Sequence, residues 1–226
     1  MAKFLLAFIV IYLASTFFIV PLLSKLGNRS PLPISGHLRP LTLWTIVLNR
    51  HYVNSDLKIT ALNVAKQVSD KFPGSKMNYL DANFPFFDGF PLPPHLSHND
   101  GKKLDLAFCY FDGDERSNLT PSFIGYGAYE NPRNGEVNYP EECRRQGYWQ
   151  YGFIGRFVPK WNASDYTIDA ERTRLVIRKF SDEPSVSKIF IEPHLKERWG
   201  FSKNAKVRFH GCQAVRHDDH IHLQVR

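Results

Sequence analysis

The sequence predicts an α+β protein: a small antiparallel sheet with flanking helices, preceded by an N-terminal transmembrane helix. Three observations support this. An uncharged apolar run fills Phe4 to Leu23, helical and strand periodicities follow one another from Ser55 onward, and histidines with aspartates crowd into two separate clusters. Helix and strand patterns mixed within one domain-sized segment are what packed layers of an α+β fold require.

The apolar run is about as long as a helix must be to cross the ~30 Å hydrocarbon core of a bilayer. Ala14-Ser15-Thr16 is followed by more apolar sequence, which favours an uncleaved anchor over a signal peptide. Pro21 is expected to kink or end the helix. Lys3 precedes the run and Lys25, Arg29 and Arg39 follow it, so the positive-inside bias selects neither side. Residues 1–24 are thus an anchor. Residues 25–54 read as a juxtamembrane connector, because Pro31, Pro33, Gly36 and Pro40 interrupt regular structure. Within it, Leu41 to Leu48 is too short to span and fits a buried strand, a helical turn or an interfacial segment beside the anchor.

Residues 55–226 form the expected domain. Leu57, Ala61, Leu62, Val64, Ala65 and Val68 recur at helical spacing up to Phe72, with Ser55 or Asp56 as cap. Met77 to Leu80 and Lys103 to Phe111 read as strands, and the proline-rich aromatic loop Phe84 to Pro94 between them is suited to wall a cleft. In Thr167 to Phe180, Thr173, Leu175 and Ile177 alternate with Arg172, Arg174 and Arg178, which favours a strand. Ser187 to Ile191, Lys206 to Phe209 and His220 to Val225 complete the strands, the last two as a hairpin about Gly211.

Composition narrows the function. The net charge is +7, but the basic residues are scattered and form no aromatic-interleaved cluster. That argues against nucleic acid and leaves an acidic polymer or an anionic membrane face as the electrostatic partner. Three cysteines allow one disulfide, for which Cys143 and Cys212 are the expected pair. Cys109 lies roughly 13 Å along an extended strand from Asp105, too far to share a metal with it, and reads as a small buried hydrophobe.

The chemistry concentrates at the histidines. His217, Asp218, Asp219, His220 and His222 stand almost together near the C-terminus. On a strand, His220 and His222 share one face, so one imidazole can hold a metal while the other acts on what the metal holds. Upstream, His98 and Asp105 flank Gly101, whose freedom suits a turn leading into the strand. His98, His222 and Asp105 together make a three-ligand zinc site with the fourth position open, the form expected of a catalytic zinc.

The pattern His95, His98, Gly101, Asp105, then His217, Asp218, His220, His222 resembles the penicillin-insensitive murein endopeptidases. These belong to a superfamily shared with D-Ala-D-Ala peptidases and the hedgehog signalling domain. The stretch Ser187 to Lys196 is similar to the strand-into-helix segment before the family's final histidines, and the likeness covers roughly residues 75–226. It implies Zn2+ held by His98, Asp105 and His222, with His220 or His217 as the catalytic base and His220 favoured. It implies that His95 and Ser97 line the substrate site, and Asp218 and Asp219 are candidate acceptors for the N–H groups of the ligands. The implied substrate is a peptide bond in peptidoglycan stems or cross-links. The implied location is a bacterial inner membrane, single-pass, with the domain facing the periplasm or wall. Lys102 and Lys103 depart from the family pattern, so contacts beside the metal are expected to differ, and the loop Asp112 to Asn138 is a candidate for setting specificity. Two alternatives remain: a catalytically silent zinc domain like the hedgehog branch, and an amide hydrolase acting on a non-murein peptide.

Overall fold

The computed structural model describes residues 1–93, 95–149, 151–152, 155, 157–160 and 165–226. Pro94, at the end of the expected Phe84 to Pro94 loop, lies outside the described residues. The chain opens with α1 (Ala2–Gly27), a helix long and apolar enough to cross a membrane. It runs through Pro21 because the preceding turn, Ser15–Ile19, is π-helical. A widened turn accommodates a proline ring that would otherwise press on the carbonyl behind it. The helix tightens over Ser24–Gly27 and stops at Asn28, which is left-handed with φ 54°.

The segment read as a connector contributes to the domain itself. It holds β1 (Ser30–Pro31), β2 (Leu38–Pro40), α2 (Trp44–Val47) and β3 (Tyr52–Val53). β1 pairs with β3, β2 joins the main sheet, and Leu32, Leu38 and Ile46 enter the core. Strands of two or three residues are too short to print a period, so prolines dominated the sequence reading. Next comes α3 (Ser55–Lys71), which buries Leu57, Ala61, Val64, Ala65 and Val68 as the spacing required, whereas Leu62, counted in the same stripe, is exposed. Its cap is Asn54 rather than Ser55 or Asp56: the Asn54 Oδ1 accepts from the Leu57 amide at 2.9 Å.

The remaining elements are β4 (Met77–Asp81), β5 (Lys103–Ala107), β6 (Tyr110–Asp112), β7 (Glu115–Ser117), α4 (Tyr139–Arg145), β8 (Tyr166–Ile168), α5 (Ala170–Asp182), β9 (Val186–Phe190), α6 (Pro193–Arg198), β10 (Val207–Arg208) and β11 (His220–Val225). Six strands form the main sheet in the order β10-β9-β11-β5-β4-β2, and β7-β6-β8 make a smaller one. The fold is α+β, but the main sheet is mixed rather than antiparallel. Its four central strands are antiparallel, whereas β2 joins β4, and β10 joins β9, in parallel. Parallel neighbours need a crossover, and the chain supplies one at each edge: α3 lies between β2 and β4, and α6 between β9 and β10. The expected hairpin about Gly211 therefore does not form. Instead β11 enters the centre of the sheet between β9 and β5.

The second correction is α5. Its alternating arginines suggested a strand, yet Arg172, Thr173, Val176, Ile177 and Phe180 are its buried positions, a helical stripe. Asp169 caps it by accepting from the Arg172 amide at 2.9 Å. Arg172 misled the period count because it is buried rather than exposed. Its guanidinium donates to Ser75 Oγ at 3.2 Å, to the Tyr110 carbonyl at 2.8 Å and to the Ser117 carbonyl at 2.7 Å, and pairs with Asp169 at 3.2 Å. The expected disulfide Cys143–Cys212 is present, with Cα atoms 5.2 Å apart, and ties α4 to the segment before β11. Cys109 is a free thiol, half-buried.

A buried cation bonded to two carbonyls leaves them unpaired when it is removed, whereas an exposed arginine on the same helix has nothing comparable to lose. Arg172→Leu should therefore cost about 3 kcal/mol and Arg174→Leu less than about 0.5 kcal/mol, read from urea midpoints in detergent micelles. Equal midpoints would remove Arg172 from the core.

Candidate metal centre

Strand register assembles the site. β11 pairs with β5 so that His222 faces Asp105 and His220 faces Ala107. On the outer neighbours, Phe190 of β9 faces His222 and Asp81 of β4 faces Asp105. One row of side chains, Phe190, His222, Asp105 and Asp81, thus crosses four strands. The alternate residues, Leu104, Leu106, Ile221, Leu223 and Ile189, are fully buried in the core with residues of the helices. Alternation along a strand therefore gives one face to the core and the other to the polar cluster.

His98 comes from the loop before β5. Its Nδ1 donates to the Ala82 carbonyl at 2.8 Å, which turns Nε2 toward the row. Gly101, with φ +77°, turns the chain from this loop into β5. A side chain there would also meet the buried Arg29, whose Nε lies 2.9 Å from the position of a Cβ.

Three atoms then converge. His98 Nε2 lies 3.2 Å from His222 Nδ1 and 3.2 Å from Asp105 Oδ1, and His222 Nδ1 lies 2.8 Å from Asp105 Oδ1. Zinc bound to nitrogen and oxygen at about 2.0–2.1 Å in a tetrahedron separates its ligand atoms by about 3.3 Å. Two of the three spacings match that shape, and the 2.8 Å hydrogen bond between His222 and Asp105 would have to open to admit the ion. His95, His98 and Asp105 form an overlapping buried group whose ligand atoms all lie within 4.8 Å of one another. A buried His-His-Asp cluster able to hold a metal ion is therefore present.

Around this centre the structure brings together residues expected from sequence and others that were missed. His95 Nδ1 lies 3.0 Å from Asp81 Oδ2 and 3.2 Å from Asp105 Oδ2, and its buried Nε2 has no hydrogen-bond partner among the described residues. Asp81 is in turn held by Arg50, whose Nε donates at 2.7 Å. The Tyr126 hydroxyl donates to Asp105 Oδ2 at 2.8 Å, and its ring stands 4.8 Å from that of His95 and 4.9 Å from that of His220. Tyr126 belongs to the Asp112 to Asn138 loop, but nothing in its local sequence distinguished it from the other aromatics there. Arg29 fixes the Phe84 to Pro94 loop: it donates to the Phe87 carbonyl at 3.0 Å and also bonds the Phe84 carbonyl and Asp88. A residue of the supposed connector thus anchors the aromatic loop that precedes His95.

His220 Nδ1 bonds Asp219 Oδ1, while the other Asp219 oxygen accepts from the Gly127 amide. His220 Nε2 lies 3.8 Å from Asp105 Oδ2 and has no hydrogen-bond partner among the described residues. Asp219 thus accepts from the ring of His220, the expected base, rather than from that of an expected ligand. Asp218 pairs with Arg216 instead and lies 3.7 Å from His194. His217 packs 4.9 Å from the His220 ring and 5.6 Å from the His222 ring, and its amide donates to Glu192 Oε1 at 3.1 Å. His210, not singled out in the sequence, stands 5.5 Å from His217 and 6.1 Å from His222. Ser97 sits half-buried in the turn between His95 and His98, where its carbonyl accepts from the Asn99 amide at 2.9 Å. The two unusual lysines stay local. Lys103 Nζ bonds Asp100 Oδ2 at 2.5 Å, and the Lys102 amide donates to Asp100 Oδ1 at 3.0 Å.

The electrostatics suit metal ligation. Burial alone would raise the Asp105 pKa, but His98, His95 and His220 around it, with the bond from His222, hold it well below the usual carboxylate range. Burial lowers the His222 pKa to about 4 against the pull of Asp105, so this imidazole is neutral. Burial likewise acts on His217, where His220 and His222 add repulsion, and its pKa falls well below the ordinary value. His98 and His220 shift upward despite burial, His98 chiefly through Asp105 and His220 through Asp219 and Asp105. A cation entering beside His98 must displace that proton, so its affinity rises with pH.

No family model matches the chain, and no curated protein is significantly similar to it. The geometry makes its own prediction, with Zn2+ as the probe in a dialysis titration. His98→Ala, Asp105→Ala and His222→Ala should each weaken binding about 100-fold or more, and Asp219→Ala only about 10-fold. A greater loss from Asp219→Ala than from Asp105→Ala would move the carboxylate ligand to the C-terminal cluster.

Proposed function

We propose that this chain is a membrane-anchored zinc peptidase that hydrolyses a peptide bond in peptidoglycan stems or cross-links, with α1 in the inner membrane of a bacterium and the domain on the wall side. The observation that carries the reading is the convergence of His98 Nε2, Asp105 Oδ1 and His222 Nδ1 within 3.2 Å of one another, beside a His220 whose Nε2 is unengaged among the described residues. The donor set, two imidazoles and one carboxylate, is that of a zinc with an open position. When bound, zinc supplies acidification of water and polarisation of the scissile carbonyl.

The protein's own groups supply the rest. Asp219 takes the Nδ1 proton of His220 into a hydrogen bond, which fixes the tautomer and leaves Nε2 basic. His220 then removes a proton from the attacking water and delivers it to the departing amine, so that water and amide become carboxylic acid and amine. Tyr126 donates to Asp105 Oδ2, which orients the carboxylate and occupies the oxygen not turned toward His98 and His222. His217 stays neutral through burial and packs against the His220 ring, serving to position it. His95 lines the same space, and Ser97 sits on the loop beside it. The murein substrate rests on the resemblance of the motif pattern.

One observation favours the silent-domain alternative: His98, Asp105, His217, His220 and His222 are all buried. A single measurement separates the two. Zinc-loaded chain in detergent is incubated with purified peptidoglycan and soluble muropeptides, and products are read by mass. The peptidase should release new fragments, and His220→Ala should retain zinc while slowing release by about 10²- to 10⁴-fold. Intact substrate with one zinc per chain would transfer the assignment to the silent domain or to a non-murein peptide.

A further inference from the structure

We infer that the apolar shoulder of the domain beside α1, formed by α2 and its flanks, is immersed in the lipid of one leaflet. The inference rests on α1 spanning the membrane. The helix does not stand clear of the domain. The Tyr12 hydroxyl donates to the Val47 carbonyl at 2.7 Å, and Asn49 Nδ2 donates to Thr16 Oγ1 at 3.1 Å. Thr16 and Ser24 are buried, and Thr16, Phe17 and Pro21 share a cleft with Leu32, Ile34 and Leu62. From Tyr12 onward α1 lies along the domain, whereas Phe4 to Ile11 are exposed.

Length then fixes depth. Phe4 to Tyr12 rises about 12 Å, less than half of a ~30 Å hydrocarbon core. Lys3 must still reach water on the far side, because a charge at the bilayer centre is costly. Tyr12 and the Val47 carbonyl bonded to it therefore lie near mid-depth. The domain surface alongside Thr16 to Pro21 lies in the adjoining leaflet.

That surface has the composition the position demands. Leu43, Trp44 and Leu48 are 67%, 57% and 55% exposed, and Phe123, 55% exposed, shares a groove with Leu43 and Trp44. Contiguous exposed apolar surface of this kind marks a contact face, and its continuity with a membrane helix assigns that contact to lipid. Donors along the seam find acceptors inside the protein, as hydrocarbon favours: the Tyr12 hydroxyl and Asn49 Nδ2 bond as described, and Arg50 holds Asp81 and the Pro93 carbonyl, while Asn49 Oδ1 and His51 Nδ1 are buried without a hydrogen-bond partner among the described residues.

The test uses the full chain in phosphatidylcholine vesicles, with Cys109→Ser as background and an environment-sensitive fluorophore at Leu43→Cys or Leu48→Cys. Val137→Cys, an exposed site beyond the shoulder, is the reference. Lipid carrying a nitroxide on its acyl chain should quench the Leu43 and Leu48 probes about threefold more than the Val137 probe, the contrast expected between lipid-buried and aqueous positions. Equal quenching at all three sites, in chains that float with the vesicles, overturns the immersed shoulder while leaving the anchor intact. Failure to float overturns the anchor, and the shoulder with it. Probe self-quenching that disappears on dilution with unlabelled chain, without nitroxide quenching, gives the surface to a second copy and also overturns the proposal.

Discussion

The pairing of His222 with Asp105 across β11 and β5 is the constraint on which the polar centre depends. Strand alternation leaves little choice once that register is set: Leu104, Leu106, Ile221 and Leu223 must fill the core, and the polar partners must share the opposite face. A slip of one residue would bury the histidines among aliphatic side chains and expose the leucines. The hydrophobic core and the candidate metal centre are thus fixed by the same register.

Much of this was legible because the informative residues lie on strands with strong alternation. His220, His222 and Asp105 announced their shared face, α3 announced most of its buried stripe, and the expected pair Cys143–Cys212 formed once Cys109 was read as a buried hydrophobe. The illegible parts have physical causes. The short strands between Ser30 and Val53 have too few residues to display a period. Arg172 imitates a solvent-facing position, while its carbonyl acceptors come from Tyr110 and Ser117, remote in sequence. Asp81 and Tyr126 reach the centre only through the folding of β4 and a long loop. No spacing rule applied to the sequence could have joined them to Asp105.

The surroundings show how a buried cluster of ionisable groups is kept ordered. Asp81 is gripped by Arg50, Asp219 by the Gly127 amide, and the Phe84 to Pro94 loop by Arg29. Each support comes from a different part of the chain. Charges that would be costly to bury alone are in this way paired, and the carboxylates are held where the imidazoles need them.

The central place of β11 bears on when the protein becomes competent. Among the described strands this one comes last in chain order, yet it divides β9 from β5 in the finished sheet. Synthesis from the N-terminus delivers β11 after the other strands of that sheet. Until then the sheet lacks its middle and His98 and Asp105 face a gap, so neither the core nor the metal-binding cluster can close before β11 arrives.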